Sequence, residues 1–379
     1  MKRFLIGVLV LGLAGCGAPE RPVVKIGFVA ALTGDQAPQG QDILNGAKLA
    51  VEQAAAQGEV LPGYRLELAA LDDQRSPTQA VAAAKKLVAD PEVLAVVGHL
   101  NSSCTMPASS IYHQAGMLQV SPVSSNPKIS RQGFNTFYRI CATDDLQGPA
   151  AALFAVKQLG AKRIFILDDM TTYGRGLADE FEKKLRLLGT EVLGHEGITQ
   201  GDKDFTPLLT KIKSLNPELV YFAGMFPEGA LLIRQRRDVG LGGYFMGGDG
   251  IFDAALIELA GAEACKDVYL TTIGSDIHKI QNAQAFVKAY EQKFGPVGAY
   301  SAYGYEAANM AIWAIRQAGR KERQAVLAAM KSLKDYPGLF GLQNFDEKGD
   351  SLIRDIGLFT VQDGKFIFLK SASWDSSPE

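Results

Sequence analysis

Cysteine and histidine are scarce in this chain, and no long apolar run follows its first residues. Each scarcity excludes a class of function. The four cysteines, Cys16, Cys104, Cys141 and Cys265, are scattered without a Cys-x-x-Cys spacing, so the sequence carries neither a dithiol redox motif nor a zinc ribbon. The four histidines, His99, His113, His195 and His278, show no metal-ligand spacing, and no metal is expected. A dinucleotide-binding turn needs Gly-x-Gly-x-x-Gly after the first strand. Here that turn reads Leu32-Thr33-Gly34-Asp35-Gln36-Ala37-Pro38-Gln39-Gly40, and no Gly-x-x-x-x-Gly-Lys-Ser/Thr occurs, so no cofactor is expected. Cys104 with His99 or His113 can be drawn as a thiol–imidazole pair, but without a third orienting group, and no catalytic residue is expected. The 39 basic and 41 acidic residues give a formal charge of −2 and no reason to expect nucleic acid as partner. No later apolar stretch approaches the roughly twenty residues that a membrane span requires.

The features that are present begin at the amino terminus. Lys2 and Arg3 precede an apolar run from Phe4 to Ala14, then Leu13-Ala14-Gly15 leads into Cys16. The run has about half the length of a spanning helix and suits the apolar region of an export signal. Leu-Ala-Gly-Cys resembles the bacterial lipobox. That resemblance implies cleavage before Cys16, acylation of its thiol, a signal peptide over 1–15 and a tether over 16–22. The expected location is then outside the cytoplasm, lipid-anchored to the cell membrane and facing the periplasm or cell exterior. Several acyl chains, at about 0.8 kcal/mol per methylene, would hold where one is marginal. An ordinary signal peptide with an incidental cysteine is the alternative. With Cys16 set aside, one disulfide plus a free thiol and three buried thiols both stay open.

From residue 23 onward, apolar runs alternate with helix-period segments, the pattern of βα units around a mostly parallel sheet. Strands are expected over 23–30, 64–71, 93–97 and 117–120, with helices over 41–56, 77–88 and 105–115. A second series of similar size starts near Asp144, with strands at 163–167, 191–193, 219–222, 244–246 and 268–271. Two series predict two similar α/β lobes. Long helical patterns come next over 283–294, 299–318 and 321–331, then strand-like pieces around Phe345, Leu358 and Phe366, and a frayed tail over 373–379.

Ligands of open parallel sheets sit outside the carboxyl ends of the strands. The loop after the third strand, Gly98 to Pro107, and that after the fourth, Ser121 to Pro127, both set hydroxyls beside the free amides of a helix start. Such a place suits a carboxylate, because unpaired first-turn amides and the helix dipole favour negative charge. Simple helix capping by Ser102 or Ser103 is the plain alternative.

Gly98-His99-Leu100, Ser102-Ser103, Thr105 and Pro107-Ala108-Ser109, with Ser121-Pro122, Tyr173-Gly174, Lys203-Asp204-Phe205, Phe245-Met246-Gly247 and Phe345-Asp346-Glu347-Lys348-Gly349-Asp350, together resemble the leucine/isoleucine/valine-binding proteins of bacterial ABC importers. The resemblance covers nearly the whole chain after the tether. It implies a type I periplasmic binding protein: two Rossmann-like lobes, 23–142 plus 274–353 and 143–273 plus 354–372, joined by three crossover segments. It also implies a monomer that serves ABC permease subunits in the membrane and holds an L-amino acid between its lobes. The ligand carboxylate would meet Ser102 and Ser125, and the ammonium would meet the Val123 carbonyl, the Ser125 hydroxyl and Asp249. Tyr173 would close over the ligand backbone, unless it is a core aromatic at a helix start, and Asp249 has an alternative role as acceptor in a Gly-rich turn. Gln39, Leu100, Met225 and Phe226 would shape the side-chain pocket. Asp249 stands where such relatives usually carry glutamate, and Gln39 and Met225 stand where they often carry tyrosines. Arg75 and Asn101 replace a cysteine pair, so no disulfide is implied there. The resemblance implies a branched-chain or other hydrophobic L-amino acid as ligand, whereas these departures would shift preference toward a larger or more polar amino acid, or alternatively toward short amides or urea on the same fold.

Overall fold

The structure, a computed structural model, describes residues 21–373. Cys16 and the expected export signal over 1–15 lie outside the described residues. In the first half of the chain, β1 (Val23–Ala30), α1 (Ala37–Ala56), β2 (Arg65–Asp72), α2 (Pro77–Ala89), β3 (Val93–Gly98), α3 (Ser102–Gln114), β4 (Leu118–Ser121) and β5 (Phe137–Arg139) form a five-stranded parallel sheet of order β2-β1-β3-β4-β5. The second half supplies α4 (Asp144–Lys157), β6 (Arg163–Asp168), α5 (Thr172–Leu187), β7 (Glu191–Gly197), α6 (Thr206–Ser214), β8 (Leu219–Ala223), α7 (Phe226–Asp238), β9 (Tyr244–Gly247), α8 (Ala254–Ala260) and β10 (Val268–Thr272). The chain then returns to the first lobe with α9 (Gln284–Phe294), α10 (Ser301–Ala318), α11 (Arg323–Lys331) and a hairpin of β11 (Tyr336–Gly338) and β12 (Gly341–Gln343). It crosses once more to add β13 (Asp355–Gln362) and β14 (Lys365–Ser373) to a sheet of order β14-β13-β10-β9-β8-β6-β7. Three passages therefore join two α/β lobes.

The period of two along each central strand decides which layer a side chain enters. In β6, Ile164 and Ile166 pack with Leu177, Phe181 and Tyr221 on one face, whereas Phe165 and Leu167 pack with Phe222, Phe226 and Phe245 on the other. Strands covered on both faces read as continuous apolar runs, as these do. Each such fully buried aliphatic side chain contributes about 1.5–3 kcal/mol. In the first lobe, α1 and α10 touch backbone to backbone through two glycines. A Cβ on Gly46 would lie 2.0 Å from the Ser301 carbonyl oxygen, and one on Gly304 would lie 2.2 Å from that of Ile43. Alanine at either place would force the pair apart.

Several elements differ from the expectations. Helix α1 starts a turn earlier, because Pro38 in its first turn costs no helical hydrogen bond. Helix α4 lies outside the expected set, since Pro149 and a run of small residues mask its period. The short strands β5, β11 and β12 carry too few residues for an alternation to register. Phe345 makes only an isolated bridge with Ser351. The added strands β13 and β14 run antiparallel to their neighbours at one edge of the otherwise parallel second sheet. Among the described residues, no helix is long and apolar enough to cross a membrane. Cys104, Cys141 and Cys265 are all buried free thiols.

Candidate functional site

The loops after β3 and β4 face the loops after β6 and β9 across the gap between the lobes. A narrow cleft lies there, lined by Leu100, Asn101, Ser102, Val123, Tyr173, Met225, Asp249 and Tyr300. Six expected site residues thus share one cavity.

On the first lobe, Asn101 precedes α3 without a side-chain capping bond, and Ser102 is the first helical residue. The Ser102 hydroxyl accepts from the backbone N–H of Asn126 at 3.3 Å, so it ties two loops together and does not cap its own helix. Ser125 is buried beside the cleft and outside its lining. Its carbonyl accepts from the N–H of Asp144 at 3.0 Å, while its hydroxyl faces the Asp144 carboxylate, neither having a partner in hydrogen-bond geometry. Burial holds the Asp144 carboxyl well above the usual carboxylate range.

On the second lobe, Asp249 opens a short turn after β9 and is 3 % exposed. Its Oδ1 accepts from the Tyr173 hydroxyl at 2.9 Å, and the Tyr173 oxygen in turn accepts from the Gly250 N–H at 3.1 Å. The Asp249 Oδ2 accepts from the Tyr300 hydroxyl at 2.9 Å. Burial raises the Asp249 pKa, and the two tyrosine bonds oppose that rise. Tyr173, in the first turn of α5, packs against the lobe core through its ring and reaches the site through its hydroxyl.

Two expected pocket residues sit elsewhere. Phe226 is buried in the second-lobe core beside Phe222 and Ala230, because the first turn of α7 turns that side chain onto the sheet. Gln39 does not line the cleft; its amide accepts from Gln36 at 2.9 Å and donates to the Gly250 carbonyl at 3.2 Å, bridging the lobes. Tyr300, from the start of α10, was missed. Its signal was an aromatic at the head of a long helix, but which strand end that helix faces depends on the return crossing.

The lobes meet through further polar contacts. Arg75, with φ +58°, reaches from the first lobe to Asp169 at 3.3 Å and to Glu228 at 3.4 Å, and Asn126 donates to the Thr172 carbonyl at 2.7 Å. Burial pushes the Asp169 carboxyl up to about 6 despite the Arg75 charge beside it. The thiol–imidazole arrangement is not assembled. Both His99 ring nitrogens are engaged, Nδ1 with Asp73 at 2.7 Å and Nε2 with Tyr112 at 3.2 Å, and burial pushes the Cys104 thiol far up. Among the described residues, no group of three or more His, Cys, Asp or Glu is placed to hold a metal.

A two-lobed α/β protein with a small polar cleft between the lobes is the architecture of a solute-binding protein. The periplasmic binding protein family model matches residues 23–365, and the chain belongs to that family. It is 36% identical over 372 residues to an amino acid binding protein of Pseudomonas aeruginosa, covering 96% of this chain and 98% of that protein. It is 34% identical to Leu/Ile/Val-binding protein homolog 1 of Brucella abortus, covering 97% of this chain and 99% of that one. Among solved structures, the leucine binding protein LivK of Thermotoga maritima matches with a TM-score of 0.85 at 32% identity, over 92% of this chain and 98% of that one. The branched-chain amino acid binding protein LivJ of Streptococcus pneumoniae, solved with isoleucine, matches with a TM-score of 0.83 at 26% identity, over 91% and 97% respectively.

Proposed function

We propose that this chain is the extracytoplasmic solute-binding lipoprotein of an ABC importer and carries a branched-chain or other hydrophobic L-amino acid in the inter-lobe cleft. One observation carries the reading. A buried carboxylate, Asp249, faces Ser102 and the amide end of α3 across a small cleft whose remaining walls include Leu100, Val123 and Met225. A zwitterion with an apolar side chain meets each of those demands. Its carboxylate takes Ser102 and the free amides, its ammonium takes Asp249 and the Val123 carbonyl, and its side chain takes the apolar wall; Ser125, outside the lining, is left without the direct ligand contact expected of it. Leaving either charge unpaired in a buried site would cost several kcal/mol.

Because each lobe supplies half of the set, the ligand gains its full contacts only when the lobes meet, and the closed form is favoured by that difference. Closed, loaded protein would be what the membrane permease accepts, with ATP hydrolysed by a separate subunit; the chain acts as a carrier and not as a catalyst. The Cys16 lipid would keep it at the membrane.

Thermal shift and calorimetry against the twenty L-amino acids, urea and short amides test this. A branched aliphatic amino acid should give the largest shift, about 2.7 kcal/mol at a hundred times its dissociation constant. If no amino acid stabilises the protein, the reading fails. Cys16→Ser should free the protein from membranes and leave ligand affinity unchanged; sustained membrane association would remove the anchor.

A further inference from the structure

A second and larger cavity, about 170 Å³, shares Asp249 and Tyr300 with the cleft and extends to the returning passage over 272–278. Its walls belong to different lobes. Tyr303 and Phe340 stack at 4.6 Å on the first-lobe side. Phe252 lies 4.8 Å from both Phe359 and Phe366 on the second.

Among the described residues, the carboxylates in this apolar space have no basic counterpart beyond one imidazole: Asp249, Asp253 and Asp276 line it with His278, and no described lysine or arginine does. Asp253 caps α8 by accepting from the Ala255 N–H at 2.9 Å, and the charged side chains that bear on it, Asp42 and Glu258, are acidic too. Independently, Tyr303 is 7 % exposed and its hydroxyl has no hydrogen-bond partner among the described residues. That hydroxyl sits against Gly274, where a Cβ would lie 2.1 Å away, so the glycine is what leaves it room at the cavity wall.

We infer that this cavity is a second ligand site, for an organic ammonium carried on an aromatic body. An anion would meet three carboxylates and no lysine or arginine. A hydrated inorganic cation would find aromatic carbon where it needs six or more oxygens. A neutral apolar molecule would bring no countercharge to Asp253 and no partner to the Tyr303 hydroxyl. An arylalkylamine meets the acidic and the aromatic features together: the ammonium pairs with Asp253, and the ring packs between the two aromatic walls, whose faces favour a nearby cation. Since the walls come from both lobes, the amine binds the closed arrangement and favours it.

This second site adjoins the cleft through Asp249 and Tyr300, but its assignment does not rest on the amino-acid reading of the cleft. Calorimetry with 2-phenylethylamine as probe, and 2-phenylethanol and 3-phenylpropionate as its neutral and anionic counterparts, tests it on the full mature chain. The amine should bind on the order of tenfold more tightly than the alcohol, and the acid should not bind. Asp253→Asn, which keeps a good capping residue for α8, should weaken the amine on the order of tenfold while leaving cleft binding unchanged. Phe366→Ala, at a half-buried strand position, should weaken it as well. Equal binding of amine and acid, no amine binding at millimolar concentration, an unaltered affinity in Asp253→Asn, or displacement of the amine by a cleft ligand would each overturn the assignment. Weakened amino-acid binding in Ser102→Ala, by contrast, bears on the cleft alone.

Discussion

The two halves of the cleft solve opposite problems with different materials. The first lobe offers Ser102, Val123 and the start of α3, which are neutral groups on strand ends and a helix end. Such groups cost little when idle, because water or a neighbouring loop can satisfy them. The second lobe offers Asp249, a carboxylate whose burial is expensive unless partners surround it. Tyr173 comes from its own lobe, but Tyr300 comes from the other. The charged half-site is therefore completed only across the gap, while the neutral one is complete within its own lobe. Sensitivity to closure should be concentrated at Asp249.

Three measurements bear on that contrast. Asp249→Ala should weaken amino-acid binding by about 2–5 kcal/mol in calorimetry, since it removes the carboxylate proposed to pair with the ligand ammonium. Unchanged affinity would remove Asp249 from the site.

Glu306 supplies a buried carboxylate without such partners. It lies in α10, is 2 % exposed and accepts from the Leu339 N–H at 3.1 Å, and burial pushes its pKa up to about 7. A carboxyl raised in the folded state destabilises only when ionised. The penalty should be absent below the unfolded value of about 4.5, grow as pH rises, and be complete above about 7. Glu306→Gln should then stabilise the protein at pH 8 by about 3 kcal/mol and leave it unchanged at pH 4, with ligand affinity unaltered. Parallel melting curves across that range would contradict the contrast between a buried acid held by two hydroxyls and one held by a single backbone N–H.

Ser102→Ala should have the smallest effect, about 0.5–1.5 kcal/mol in affinity, the value of one neutral hydrogen bond. A loss as large as that of Asp249→Ala would mean that the first-lobe half-site, and not the charged one, dominates recognition.

The strand ends are legible in the chain because parallel strands buried on both faces are continuous apolar runs, and the residues after each run form the loop that faces ligand. Leu100, Ser102, Val123, Tyr173, Met225 and Asp249 are found that way, together with a family resemblance, and the structure gathers them around one cleft. Phe226 was misplaced because a residue at a helix start can turn either to the cleft or to the sheet, and the sequence does not say which. Gln39 was near the gap but spans it. Tyr300 and Arg75 were not recognised as parts of the interface, since their partners lie 51 to 153 residues away.

By itself the sequence determined the layers: periodicity, strand length and loop chemistry are local properties, and they specify two α/β series with polar loops at the strand ends. Only the tertiary structure decided which of those loops face one another. That depends on three chain passages, on the close approach of α1 and α10 at Gly46 and Gly304, and on the return of Tyr300 to Asp249. Pairing across a gap is set by packing summed over the whole molecule, which no window of neighbouring residues contains.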